Sequence, residues 1–378
     1  MFLIGAGASV EAGVPATFDM TERLAAEIGA ARFRRGAQAL NFVCGALLAY
    51  DGARGESPYK GLDVERVFAA VELLGERTEL EVTPFVASWH PAVDAWDRRS
   101  AGMSFDNNLA QALVQGRGSA ERIIRDLVTS MTGSGTGQVY RNLAAEMIDR
   151  LRAIVAPQYE NLSYLMPLVR LGNASGGLTV ATLNYDLTVE LACEQAHVAA
   201  DTGIEHWIEH RRWRWAQGGV RLLKLHGSID WCWKELANER GDMPMLTVVQ
   251  SVEPESERRA PALVFGARNK LKPNGPFLSL LSEFEDRLRE SGHLIVVGYS
   301  FRDDHINEII RRWTREDKGH TITLIDPRAE EATHERGFRG RLIQQLNPRQ
   351  IGQQEPLPQR VAVRAETAGE AFAQLTRE

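Results

Sequence analysis

The sequence predicts an α/β protein: a parallel sheet flanked by helices, interrupted by a large inserted all-helical domain. Three observations predict it. Five short apolar runs of strand length end in a polar or glycine signature, at Gly5, Asn184, His226, Gly298 and Asp326. Helical spacing follows several of these runs, the alternation that builds parallel sheets. From about Arg32 to Leu171 the strand signal fades and apolar residues recur at helical spacing instead. The expected domains are residues 1–31 with 172–378 for the sheet, and 32–171 for the helical insertion.

In chain order, Phe2-Leu3-Ile4 reads as a strand, followed by the turn Gly5-Ala6-Gly7-Ala8-Ser9 and a helix. Gly5 and Gly7 permit a tight turn and a close approach by a phosphate, with the N–H groups of the next helix facing the anion. The third glycine of a full dinucleotide fingerprint would fall at Val10, so a plain turn is the competing reading. After Pro15, Asp19 with Glu22 reads as a capping box for a helix bearing Leu24, Ala25 and Ile28. Further helices are expected over 37–50, 63–80, 84–96, 119–131 and 140–155, with a loop over 132–137 and Asp63 as a helix N-terminal acid.

The sheet resumes at Leu178–Ala181, which ends in Thr182-Leu183-Asn184-Tyr185-Asp186 before helical spacing over 187–196. An amide there can hold a water or a sugar hydroxyl, and a carboxylate two residues on can take an N–H or a second hydroxyl. Both residues read equally as caps of the next helix. Trp207, Arg211, Arg212, Trp213, Arg214 and Trp215 interleave aromatics with bases. Such a patch can grip single-stranded nucleic acid. The favoured reading is packed tryptophans and solvated arginines.

Val220–Leu225 is strand-like and ends in His226-Gly227-Ser228. A histidine at a second strand end is an acid/base candidate, its unperturbed pKa being ~6.5. Asp230 to Trp233 is expected to pack beside it, and Glu235–Arg259 to form a loop and a second small insertion. Phe277–Arg289 is an amphipathic helix. His293–Val297 is a buried strand ending in Gly298-Tyr299-Ser300-Phe301, with Asp303 or Asp304 capping the helix Ile306–Trp313. His320–Ile325 is the next strand, ending in Asp326-Pro327. A loop over 347–359, a strand over 360–364 and a helix after Thr367 close the chain. In one parallel sheet the five signatures would share the carboxyl edge, where ligands bind, and so form one nucleotide-sized site.

With 44% hydrophobic and 25% charged residues the chain has an ordinary globular composition. No apolar run approaches the ~20 residues of a membrane span. Met1–Gly5 is too short for a signal peptide, and a cytoplasmic location is expected. A net charge of −6 gives no bulk attraction to nucleic acid or anionic lipid. The three cysteines, Cys44, Cys193 and Cys232, form no Cys-x-x-Cys pair and are too few for a four-cysteine zinc site.

Four motifs in order resemble the sirtuin-like (Sir2-like) family, specifically its prokaryotic anti-phage defence branch. They are Gly5–Ser9 with Gly13-Val14-Pro15, Thr182–Asp186, Leu225–Ser228 and Gly298–Asn307. The resemblance implies a Rossmann-like fold with NAD+ as substrate and no metal. It implies that Gly5, Ala6, Gly7, Ala8 and Ser9 cradle the pyrophosphate, and that Asn184 orients the nicotinamide ribose and a water. Asp186 would hold the carboxamide and His226 would be the acid/base residue. Gly298 and Ser300 would contact phosphate or ribose, and Asp326 the adenosine ribose. Deacylase sirtuins carry a zinc module and a Phe-Arg after the first proline, whereas Pro15 is followed by Ala16-Thr17-Phe18. The expected activity is therefore NAD+ glycohydrolysis in anti-phage defence. The resemblance further implies a homo-oligomer and a HerA-type ATPase partner, with the helical insertion as the place for such contacts. The rival expectations are an NAD or ADP-ribose sensing module without turnover, an NAD-dependent deacylase, and a nuclease subunit working with an ATPase.

Overall fold

The computed structural model describes residues 1–30, 34–57, 61–83, 93, 137–174, 176–236, 245–250, 261–264, 275–329, 337–347 and 359–375. The helices expected over 84–96 and 119–131, and the loops over 132–137 and 347–359, lie almost wholly outside these residues. Two compact units result, residues 1–16 with 154–378, and residues 17–153.

Four helices make up the described part of the second unit: α1 (Thr17–Ala30), α2 (Arg34–Ala53), α3 (Val64–Gly75) and α4 (Gln138–Ile154). Met20, Leu24 and Ile28 on α1, and Val64, Val67, Phe68 and Val71 on α3, are buried at the three- and four-residue spacing of an apolar helix face. Asp63 caps α3, its Oδ1 accepting the Glu65 N–H at 2.8 Å. Asp19 does not cap α1, because the helix already begins at Thr17 and Asp19 sits in its first turn.

The other unit begins with strand β1 (Phe2–Ile4) and the 3-10 helix Ala6–Ala12, and resumes with the 3-10 helix Tyr159–Leu165 and α5 (Met166–Ala174). Then follow β2 (Leu178–Thr182), α6 (Thr188–Gln195), β3 (Ala200–Asp201), α7 (Ile204–His210) and β4 (Val220–Lys224). After β5 (Gly227–Leu236), β6 (Met245–Gln250) and β7 (Pro261–Leu263) come α8 (Phe277–Arg289), β8 (His293–Val297), α9 (Asp304–Glu316) and β9 (Thr321–Ile325). The last elements are α10 (Phe338–Leu346), β10 (Val361–Arg364) and α11 (Ala368–Gln374).

The expected boundaries at 31/32 and 171/172 fall elsewhere, for a packing reason. Helix α1 packs on α2 and α3, whereas the segment 159–174 packs on the first 3-10 helix, α6 and α11.

Seven strands form one sheet in the order β10-β9-β8-β1-β2-β4-β3, and every pairing in it is parallel. Both faces are covered, as parallel sheets require. Leu3, Ala181, Leu223, Val296 and Leu324 point into a core shared with α8, α9 and α10. Phe2, Ile4, Val180, Leu222 and Ile325 point to the opposite core, shared with the 3-10 helices, α5, α6 and α11. Strand β1 is central. The chain runs outward from it through β2 and β4 on one side, and through β8, β9 and β10 on the other. That reversal between β1 and β8 is a topological switch point, where the strand ends leave a crevice.

Strands β5, β6 and β7 form a separate antiparallel sheet, β6-β5-β7. Two pieces of the expected loop over 235–259 are therefore strand. Residues 235–236 end β5, and 245–250 pair with it from Trp231↔Gln250 to Leu236↔Met245. Strand pairing overrides the polar composition that suggested a loop.

Candidate functional site

The register of the sheet brings the five strand-end signatures into one row. Ile4 lies opposite both Thr182 and Val297, Thr182 opposite Lys224, and Val297 opposite Ile325. One residue further on, the row reads Asp326, Gly298, Gly5, Leu183, Leu225. Asn184 and His226 each stand one residue beyond it, just past the ends of the adjacent strands β2 and β4.

At the switch point the two turns interlock. The N–H of Gly5 donates to the Val297 carbonyl at 2.9 Å, and that of Gly7 to the Gly298 carbonyl at 2.9 Å. Gly298 has φ of 64°, and a Cβ there would lie 2.3 Å from the Ala8 nitrogen. A Cβ on Gly5 would lie 2.6 Å from the Gly298 oxygen. The glycines thus make room for each other's backbone, where a phosphate was expected. Ala8 donates to the Gly5 carbonyl at 2.9 Å, so the N–H groups of Gly5, Gly7 and Ala8 are all turned to protein acceptors. Ala6 N–H has no acceptor among the described residues. The turn is braced by Tyr164, whose hydroxyl donates to the Ala8 carbonyl at 2.7 Å. Burial, with Asp186 and Glu11 nearby, pushes the Tyr164 hydroxyl above its ordinary range and keeps it a donor.

Asn184 is 7% exposed. Its Nδ2 donates to the Ser9 hydroxyl at 2.9 Å and to the Gly5 carbonyl at 3.1 Å. Both amide hydrogens are thus engaged, and Oδ1 accepts no hydrogen bond among the described residues. Asp186 is also buried, and its Oδ1 accepts the Thr188 N–H at 3.0 Å, the capping role at the start of α6. Its carbonyl accepts a hydrogen bond from Lys224 Nζ, which also pairs with Glu190 Oε1 at 2.7 Å. Burial pushes the Glu190 carboxyl up, against the pull of Lys224. Lys224, fully buried at the end of β4, therefore fastens the Asn184–Asp186 turn to the neighbouring strand.

His226 is 7% exposed and its Nε2 lies 2.8 Å from Asp303 Oδ2. The other carboxylate oxygen of Asp303 accepts the N–H groups of His305 at 3.0 Å and Ile306 at 3.4 Å, capping α9. The carboxylate is thus fixed, and it favours the tautomer with hydrogen on Nε2. Nδ1 then carries the free lone pair and has no partner among the described residues. Gly227, at φ of 82°, turns the chain sharply after His226. The Tyr185 ring stacks on the imidazole with centroids 6.5 Å apart. Two buried hydroxyls, Thr188 Oγ1 and Ser228 Oγ, adjoin these residues in sequence and lack partners among the described residues. Unsatisfied buried polar atoms are uncommon and mark places for a polar ligand or water.

The loop after β8 is held by Tyr299. Its hydroxyl accepts the Asp303 N–H at 3.1 Å and donates to Asn307 Oδ1 at 3.1 Å. Asn307 in turn donates to the Phe301 carbonyl at 2.9 Å, securing Phe301 at φ of 57°. Ser300, at the tip, is exposed. Asp326 accepts the Arg328 N–H at 2.8 Å and pairs with Arg339 at 3.0 Å. The structure therefore joins Asn184 with Gly5 and Ser9, and His226 with Asp303. It gives Asp186 and Asp326 partners of their own.

Sequence reasoning assigned Asp303 only the cap, and did not find Tyr164 or Lys224. Nothing local signals their partners, which lie 77, 156 and 34 to 38 residues away. In the aromatic patch Trp207 and Trp215 are buried, while Arg211, Arg212 and Arg214 are exposed, as the packed reading expected. Among the described residues no helix is long and apolar enough to cross a membrane.

A parallel sheet with helices on both faces and a topological switch point between β1 and β8 defines a Rossmann-like α/β protein. Residues 178–347 match the family model described as a SIR2-like domain. Among solved structures, a Sir2 homologue in complex with NAD aligns over 100% of this chain and 87% of its own, at 13% identity and a TM-score of 0.39. A mutant Sir2 homologue in complex with ADP-ribose aligns over 64% of this chain and 76% of its own, at 14% identity and a TM-score of 0.37. No curated protein matches the chain.

Proposed function

We propose that the chain is an NAD+ glycohydrolase that cleaves the bond between nicotinamide and its ribose. One observation carries the reading: past the carboxyl ends of the adjacent strands β2 and β4 stand a buried amide anchored to the Gly-rich turn and an imidazole held by a fixed carboxylate. With both Nδ2 hydrogens engaged, Asn184 presents Oδ1, which can only accept, and so suits a ribose hydroxyl or a water O–H. His226 presents Nδ1 as a base. As the C–N bond breaks, nicotinamide leaves with the bonding electrons and positive charge grows on the ribose. Water adds at that carbon, and its proton passes to His226 and then to solvent. The products are nicotinamide, ADP-ribose and a proton. Ala6 N–H and the orphan hydroxyls of Thr188 and Ser228 are the groups left to receive the ligand's phosphate or amide. The resemblance set out above extends the reading to anti-phage defence by NAD+ depletion, with activity released by self-assembly or by an ATPase partner.

The test is nicotinamide release from NAD+, followed by chromatography, with and without a HerA-type ATPase. Asn184→Ala is expected to abolish release while NAD+ binding and the melting temperature change little. His226→Ala is expected to slow release by ~10²–10⁴-fold, the usual contribution of a general acid or base. Undiminished release in both variants would sink the assignment. NAD+ binding with no release under any condition would leave a sensing module in its place.

A further inference from the structure

A second cleft, of about 420 Å³, opens at the opposite edge of the parallel sheet. It lies beside the amino ends of β2 and β4, with Trp213, Arg214, Trp215, Gln217, Arg221 and Arg287 on its walls. Arg221 is the second residue of β4 and His226 stands just past its end, so the strand's length, ~16 Å at ~3.3 Å per residue, separates this cleft from the candidate site.

Among the described residues three guanidinium groups line the cleft and no carboxylate does, in a chain of net charge −6. Arg214 and Arg221 form no salt bridge with a carboxylate among the described residues, and Arg287 pairs with the exposed Glu290 at 3.0 Å and lies near the Glu283 carboxyl. The Nε of Arg221 is buried without an acceptor among the described residues. Gly177 makes room for that guanidinium, since a Cβ there would lie 2.7 Å from Arg221 Nη2. Like charges gathered with so little compensation ordinarily mark an anion site.

The tryptophans narrow the choice of anion. Trp207 stacks on Trp213 at 6.1 Å between centroids, and Trp213 on Trp215 at 5.6 Å. Arg211 covers Trp207 at 4.5 Å and Arg287 lies over Trp215 at 5.8 Å. The indole faces are thus engaged with one another and with cations. A row of unpaired bases, which needs open faces, is poorly served. The cleft volume lies within the range of about 300–1,000 Å³ typical of small-ligand sites.

We propose that this cleft binds a compact polyphosphate anion, of the pyrophosphate or nucleoside diphosphate class, independently of the candidate NAD+ site. Isothermal titration of the full chain with inorganic pyrophosphate, and separately with ADP, tests it. Saturable pyrophosphate binding is expected, weakened about tenfold in Arg214→Gln and again in Arg221→Gln, since each removes charge-assisted hydrogen bonds. NAD+ binding and the melting temperature should stay unchanged. Arg214 is exposed, so its variant guards against a folding artefact. Tighter binding of ADP than of pyrophosphate would assign the nucleotide, and the reverse the free anion. The proposal is overturned by no saturable pyrophosphate binding, by equal affinity in both variants, or by a single-stranded oligonucleotide that binds more tightly through the same arginines.

Discussion

At the scale of single residues, Asp303 carries two roles on two oxygens, one on the α9 N–H groups and one on His226. These can be separated. Asparagine caps a helix about as well as aspartate, so Asp303→Asn should leave the melting temperature nearly unchanged. It removes the carboxylate that sets the His226 tautomer, so turnover should fall by ~10²-fold or more and its pH profile should move. Asp303→Ala should add a cap loss of ~0.5–2 kcal/mol, read in denaturant melts. The thiols give a second check. Burial pushes Cys193 up to about 12, so it stays a protonated, unreactive thiol in the folded chain. A maleimide at about pH 8 should label Cys193 only as the protein unfolds; rapid labelling of the native chain would contradict this. Asn184 and His226 were legible in the sequence because each closes an apolar run. Asp303 as a partner was not, because its role depends on which strands become neighbours.

At the scale of elements, apolar runs bounded by glycine or polar residues placed six strands of the parallel sheet, from Phe2–Ile4 to Val361–Arg364, and missed the two-residue edge strand β3, too short to show a pattern. Burial on both faces makes such runs continuously apolar, which is a strong signal. The small antiparallel sheet was harder to see, because the sequence over 235–250 mixes charged residues and a proline with its apolar ones, which reads as loop. The Gly-rich turn shows a related limit: the sequence could mark close approach, but not by what. Its true neighbour is the Gly298 turn. Gly298→Ala should therefore destabilise the protein by ~2–5 kcal/mol, combining left-handed strain with a clash on the Ala8 nitrogen. A loss below ~0.5 kcal/mol in urea melts would refute the interlock.

At the scale of the sheet-bearing unit, everything hangs from β1, a three-residue strand with partners on both sides. Leu3 is fully buried there. Leu3→Ala should cost ~2–5 kcal/mol, and hydrogen exchange should show β2 and β8 losing protection together. Loss confined to one of them would mean that the two halves of the sheet are stable apart. The position of β1 also sets a timetable for biosynthesis. At ~5–20 residues per second, the ribosome needs ~15–60 s to pass from β1 to Gly298 and Asp303, roughly 300 residues later. Until then the opening strand lacks one of its two neighbours and His226 lacks its carboxylate. A nascent chain that stops short of Gly298 holds Gly5, Gly7, the amide and the imidazole, yet not the assembled edge, so any enzymatic activity it supports awaits synthesis past Asp303.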